Sequence, residues 1–146
     1  MQGVWTSWQA WAVLAAVFAA LTAIFAKLGV AEIAADLATL IRTVVVLLLL
    51  LVIVTISGQW QPLQQISSRA WVFLLLSGLA TGASWLCYFR ALQLGDAARV
   101  APVDKLSVVL VAVFGVLLLG ETLTLLNWVG IILIAGGSLL VAWKTT

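Results

Sequence analysis

Apolar residues fill long blocks of this chain, and polar residues collect in the gaps between them. Five blocks reach the ~20 residues that a helix needs to cross a bilayer. They run over about 8–28, 34–56, 71–94, 97–119 and 125–143. The second contains Val44-Val45-Val46 followed by leucine from Leu47 to Leu51. Three gaps are short: Gly29 to Ile33, Gly95-Asp96 and Gly120 to Thr124. The fourth, Ser57 to Ala70, is longer and holds Gly58, Pro62 and a Gln/Ser run. Short gaps make successive helices antiparallel. A spanning barrel would alternate polar and apolar positions, and Thr43 to Val54 does not alternate. The pattern predicts an all-α membrane protein, a five-transmembrane-helix bundle with one domain over residues 1–146.

Composition sharpens this reading. The chain is 65% hydrophobic and 8% charged, against about 25% charged in a soluble domain, so too few charges exist to cover a water-facing surface. Disorder is excluded by the same figures. Seven basic residues scattered over 146 positions make no nucleic-acid surface. With no His and the single Cys87, one chain offers no disulfide framework, zinc site or Cys–His chemistry. Neither a GxxxxGK loop nor HExxH is present. Ser84 and Ser107 have no His, Asp104 has no second intramembrane Asp, and Ser107 and Lys105 point to different sides of a helix. No enzyme, metal site or cofactor is expected, apart from a coupling proton or cation. No basic residue precedes Trp8 and the first apolar run is longer than a signal peptide's, so the first span is expected to remain in the mature chain.

Charge also orients the spans. Lys27, Arg90, Arg99 and Lys144 fall at one face, and Arg69 alone at the face that carries the N-terminus. The positive-inside rule makes the first face cytoplasmic, with N-terminus out and C-terminus in. Trp5, Trp8, Trp11, Trp60, Trp71 and Trp128 fall near the outer face and Trp143 near the inner, as indoles at headgroup level do. Trp85 lies within a span instead, where it is either a lipid-facing filler or a pocket wall.

Several charges lie in or beside apolar blocks, at a cost of at least ~2.5–3.5 kcal/mol for one at the bilayer centre. Lys27 and Arg90 are near enough to the inner face to snorkel. Arg42, Asp104 and Lys105 are deeper, about a third of the way in. Asp104 is too short to snorkel and is expected to pair with Arg42 or Lys105, either to orient helices or as a substrate or proton site. Pro102 removes a hydrogen bond from Ala98 and kinks the fourth span beside these charges. A broken helix next to buried charge is the anatomy of a transport site. Gly78 and Gly82 form GxxxG, and Gly130, Gly136 and Gly137 thin the fifth span; both sets are expected at helix contacts.

From Tyr88 the residues run Tyr88-Phe89-Arg90-Ala91-Leu92-Gln93-Leu94-Gly95-Asp96-Ala97-Ala98, then Val100-Ala101-Pro102 and Leu106-Ser107. Gly120-Glu121-Thr122-Leu123-Thr124, Trp128-Val129-Gly130 and Ala135-Gly136-Gly137 follow. This ordered set resembles the EamA domain of the drug/metabolite transporter superfamily, closely over the last ~60 residues and more loosely before them, through Ala26-Lys27-Leu28-Gly29 and Ile41-Arg42-Thr43. The family's usual form resembles two such domains in inverted repeat, and this chain resembles one half-size domain.

The resemblance implies a secondary transporter, an exporter of a small metabolite or drug-like solute, in a bacterial-type inner membrane. It would work by alternating access as a dimer, with a second copy or a paralogous half as partner. Arg42, Lys105 and Arg90 would attract an anionic or carboxylate-bearing solute, Asp104 would pair or carry a coupling proton, and Trp85, Tyr88, Phe89 and Ser107 would line the site. Glu121 belongs to the family pattern and is read as a structural residue at its turn. A non-transporting subunit that stabilises a partner, or an ion channel, are the alternatives.

Overall fold

The computed structural model describes residues 7–143; Trp5 and Lys144, read above as an anchor and an inner-face charge, lie outside them. Helix α1 covers Trp8–Gly29, α2 Ala35–Ile56, α3 Ser68–Leu94, α4 Ala97–Asp104, α5 Ser107–Leu119 and α6 Leu125–Ala142. A single 3-10 turn, Leu63–Gln65, lies in the long connection. No strand occurs among the described residues. Five segments are long and apolar enough to span a membrane, counting α4 and α5 as one over Ala97–Leu119. In hydrocarbon a helix is stable because it bonds every backbone group internally, which is why the β-branched and leucine run of α2 stays helical.

Local chemistry sets the helix ends. Helix α3 starts three residues before its apolar run because the Ser67 hydroxyl accepts the Ala70 N–H at 3.2 Å, an N-cap. Gly120 ends α5 in the left-handed region at φ 69°, where glycine is favoured. Thr124 opens α6 with a capping box: its N–H donates to Asn127 Oδ1 at 3.0 Å, and the Asn127 N–H donates to its hydroxyl at 3.3 Å.

The fourth span departs from expectation. It is two helices, and the break falls at Lys105-Leu106 rather than at Pro102, which lies inside α4. Past the proline, Lys105 still bonds Ala101 at 3.2 Å, but Leu106, Val108 and Val109 each donate to the residue three before them, at 3.0 Å. The ladder tightens into a 3-10 pattern there and re-forms as α5.

The chain divides into two compact units. Phe25–Gln93 forms one, and the described parts of Met1–Ile24 and Leu94–Thr146 form the other. In the first unit, the buried residues Ala35, Ala38 and Thr39 share one face of α2, and Phe89 and Leu92 one face of α3. Their spacing of three and four is that of a helix stripe. Ala26 and Val30 complete this core, which sits where α1 ends, α2 begins and α3 ends. In the second unit, α4 and α5 pack on α6. Elsewhere the spans expose leucine, valine, isoleucine and phenylalanine along their length, the surface that lipid covers in a membrane protein.

Candidate functional site

In the first unit, Arg42 lies seven residues into α2, in line with Ala35 and Thr39. Its guanidinium stands over the Trp85 ring, 4.1 Å from the centroid, and 5.5 Å from that of Phe89. Trp85 and Phe89 are four apart on α3, so their rings line one face. Both distances lie within the ~6 Å reach of a cation–π contact. Trp85 therefore lies beside a charge. A guanidinium presents its five N–H donors in its own plane, and both rings lie within cation–π distance of it. Among the described residues no carboxylate or carbonyl accepts from them. Arg42 is half-buried, so this arrangement can receive an anion edge-on with aromatic walls beside it. Tyr88, half-buried on the same turn of α3, is close enough to act on Arg42 electrostatically.

Two other cations of this unit, Arg90 and Lys27, have polar partners. The Arg90 Nη2 donates to both oxygens of Asp36, at 3.1 and 3.0 Å. Arg90, expected either to snorkel or to meet solute, pairs with the first turn of α2. Lys27, expected to reach the headgroups, donates to the Leu92 carbonyl at 2.6 Å. Gln93 donates to the carbonyls of Val30 and Ile33, at 3.3 and 2.8 Å. These three side chains bind the α1–α2 connection and the start of α2 to the last turn of α3. That clamp holds Phe89 and Trp85 opposite Arg42.

In the second unit, Asp104 ends α4 and its carboxylate is 3.5 Å from the ammonium of the adjacent Lys105. Lys105, one of the two partners expected for Asp104, is the one it meets within its own unit. Ser107 opens α5 and its hydroxyl has no hydrogen-bond partner among the described residues. The break thus gathers a carboxylate, an ammonium and a hydroxyl within four residues.

A second feature of this unit was not anticipated. Helices α5 and α6 flank an open groove of about 430 Å³, lined by Val108, Val111, Glu121, Asn127, Gly130 and Ile134 among others. Glu121 does serve the turn, but with its main chain: its N–H donates to the Gly115 carbonyl at 3.1 Å. Its side chain faces the groove. Within its own unit, a Cβ on Gly78, Gly82, Gly130 or Gly136 would meet nothing within 4 Å, so none of them marks a close helix contact there.

Asp36 and Gln93 carry no spacing signal toward their partners, which lie 54 to 63 residues away. Thr124-x-x-Asn127 did carry one, as a variant of the capping-box pattern. No group of three or more metal-ligating side chains forms among the described residues.

The pattern of the EamA-like transporter family matches residues 6–143. The chain is 67% identical over 136 residues to a protein of Sinorhizobium sp described as an uncharacterized transporter in the cobO 3' region. The alignment covers 93% of this chain and 96% of that protein. No solved structure matches.

Proposed function

Because the chain belongs to the EamA-like transporter family, we propose that this integral membrane transporter exports a small carboxylate-bearing or otherwise anionic solute, with Arg42 as its recognition group. The observation that carries this is the half-buried Arg42 guanidinium, within cation–π reach of Trp85 and Phe89 and without a hydrogen-bond acceptor among the described residues. A charge within a span marks function by its cost. The cation–π contact offsets part of that cost, and a carboxylate completes it through the bidentate geometry that guanidinium favours. The Asp104-Lys105 pair at the helix break takes the coupling proton or cation. Broken spans in transporters expose backbone groups to a water-filled path, which supports this assignment.

Transport proceeds by alternating access in a dimer of five-span halves. The N-terminus faces out, by the charge asymmetry of the connections.

Water access is the test. Arg42→Cys, Asp104→Cys and Ser107→Cys are made singly in a Cys87→Ser background and treated with a membrane-impermeant thiol reagent from each side. Reaction at all three is expected, with Asp104→Cys and Ser107→Cys changing rate when solute is added. If none reacts from either side, the chain is a subunit without a solvated path and the transport reading falls.

A further inference from the structure

We propose that the groove between α5 and α6 binds a short amphiphilic organic ammonium, with its cationic head on the Glu121 carboxylate. This concerns the second unit and does not rest on the reading of Arg42.

The groove has the size and make-up of a small-molecule site. Its volume of about 430 Å³ lies in the usual range of about 300–1,000 Å³, and such sites combine apolar walls with few polar groups. Here the walls are Val108, Val111, Leu126 and Ile134, and the polar lining residues are Glu121 and Asn127. Asn127 Oδ1 is already occupied by the α6 cap. Glu121 therefore supplies the one formal charge. Among the described residues it has no cationic partner and no side-chain hydrogen bond.

The backbone of Glu121 is fixed from behind. Gly120 turns the chain in a left-handed conformation, and the Glu121 N–H anchors on Gly115 O at 3.1 Å. The bare Cα of Gly115 then leaves room for the acid: a Cβ there would lie 2.6 Å from Glu121 Oε2. The same position is the C-terminus of α5, the negative end of the helix dipole. An acid and a helix C-terminus together repel an anion and attract a cation.

Length selects the body of the ligand. Along α6 the groove runs from Asn127 to Ile134, roughly 10 Å at 1.5 Å per residue. One leaflet of hydrocarbon is about 15 Å deep. A compact aryl or short alkyl group fills this length, whereas a lipid acyl chain overruns it.

The experiment uses the whole chain in nanodiscs and three labelled probes of one shape: phenylbutylamine, phenylbutanol and phenylbutyrate. Saturable binding of the amine is expected, about tenfold tighter than the alcohol, with the acid weakest. Glu121→Gln should erase the difference between amine and alcohol, and Glu121→Asp should keep part of it. Ile134→Trp, which fills the apolar wall, should weaken amine and alcohol alike. Asp36→Asn, which removes a carboxylate from the other unit, should leave the amine unchanged. The proposal is overturned by equal amine affinity in folded Glu121→Gln, or by no saturable amine binding to the folded parent. It is also overturned if the groove proves to be filled by phospholipid or by a helix of a second copy.

Discussion

The two charged features of this chain are built in opposite ways. Around Arg42, α2 and α3 place two rings against the cation, and three side-chain clamps fix the helix ends that carry those rings. Around Glu121, α5 and α6 leave an open groove, and the anion faces it with nothing of opposite charge across. One charge is integrated into packing while its hydrogen-bonding edge stays available. The other is attached to the turn only through its own backbone. A buried charge that packs is a structural element as well as a functional one, so substitutions at the first site should cost stability. A charge without partners should cost little fold and mostly function.

The largest expected effect tests the first half of that contrast. Phe89 is 3% exposed and supports Arg42 from below Trp85. Phe89→Ala opens a cavity and removes one ring, a destabilisation of about 3–5 kcal/mol in unfolding by SDS titration. A cost below about 0.5 kcal/mol would mean that the slot is not packed. Next, a double-mutant cycle on Arg42→Met and Trp85→Leu isolates the contact itself. A coupling of about 1–2 kcal/mol is expected for a partly desolvated cation–π pair. Zero coupling would reduce the 4.1 Å approach to mere proximity.

The ease with which each feature could be read from sequence differs for physical reasons. The five spans were plain, because the cost of taking unbonded backbone into lipid is met by one repeated solution of known length. Pro102 pointed to a break in the fourth span, but the discontinuity lies at Lys105-Leu106, where the ladder shortens. A missing N–H identifies a weak point and leaves open where the backbone yields. Depth along the chain singles out Arg42 as a costly charge, yet depth says nothing about neighbours. Asp36 and Arg90 meet across 54 positions, and only packing brings them together. Gly78 and Gly82 have the spacing of a contact motif, yet nothing in their own unit approaches them. The groove escaped notice because its one charge, Glu121, lies in a turn, where an acid is unremarkable.

A smaller effect separates the clamp from the slot that it positions. The side chains of Arg90 and Asp36 are 64% and 61% exposed, so solvent and salt screen them. Asp36→Asn should cost about 0.5 kcal/mol or less, and the difference from the parent should shrink further in high salt. A cost of several kcal/mol, insensitive to salt, would place this pair with the packed core around Phe89.

Gly115→Ala carries the smallest stability effect and gives the sharpest view of the contrast. The new Cβ would stand 2.6 Å from Glu121 Oε2, too close for both to keep their places. The atom it meets is the end of a flexible, exposed side chain, which can swing away. The substitution also replaces glycine by alanine within a helix, a gain of up to about 1 kcal/mol. Stability should therefore stay level or rise slightly, while amine binding falls because the carboxylate has left its position at the turn. Thermal unfolding and amine titration on the same preparation read the two effects separately. A loss of 1 kcal/mol or more would show that the Glu121 side chain braces the α5–α6 turn. The second unit would then hold its charge as the first one does, through packing.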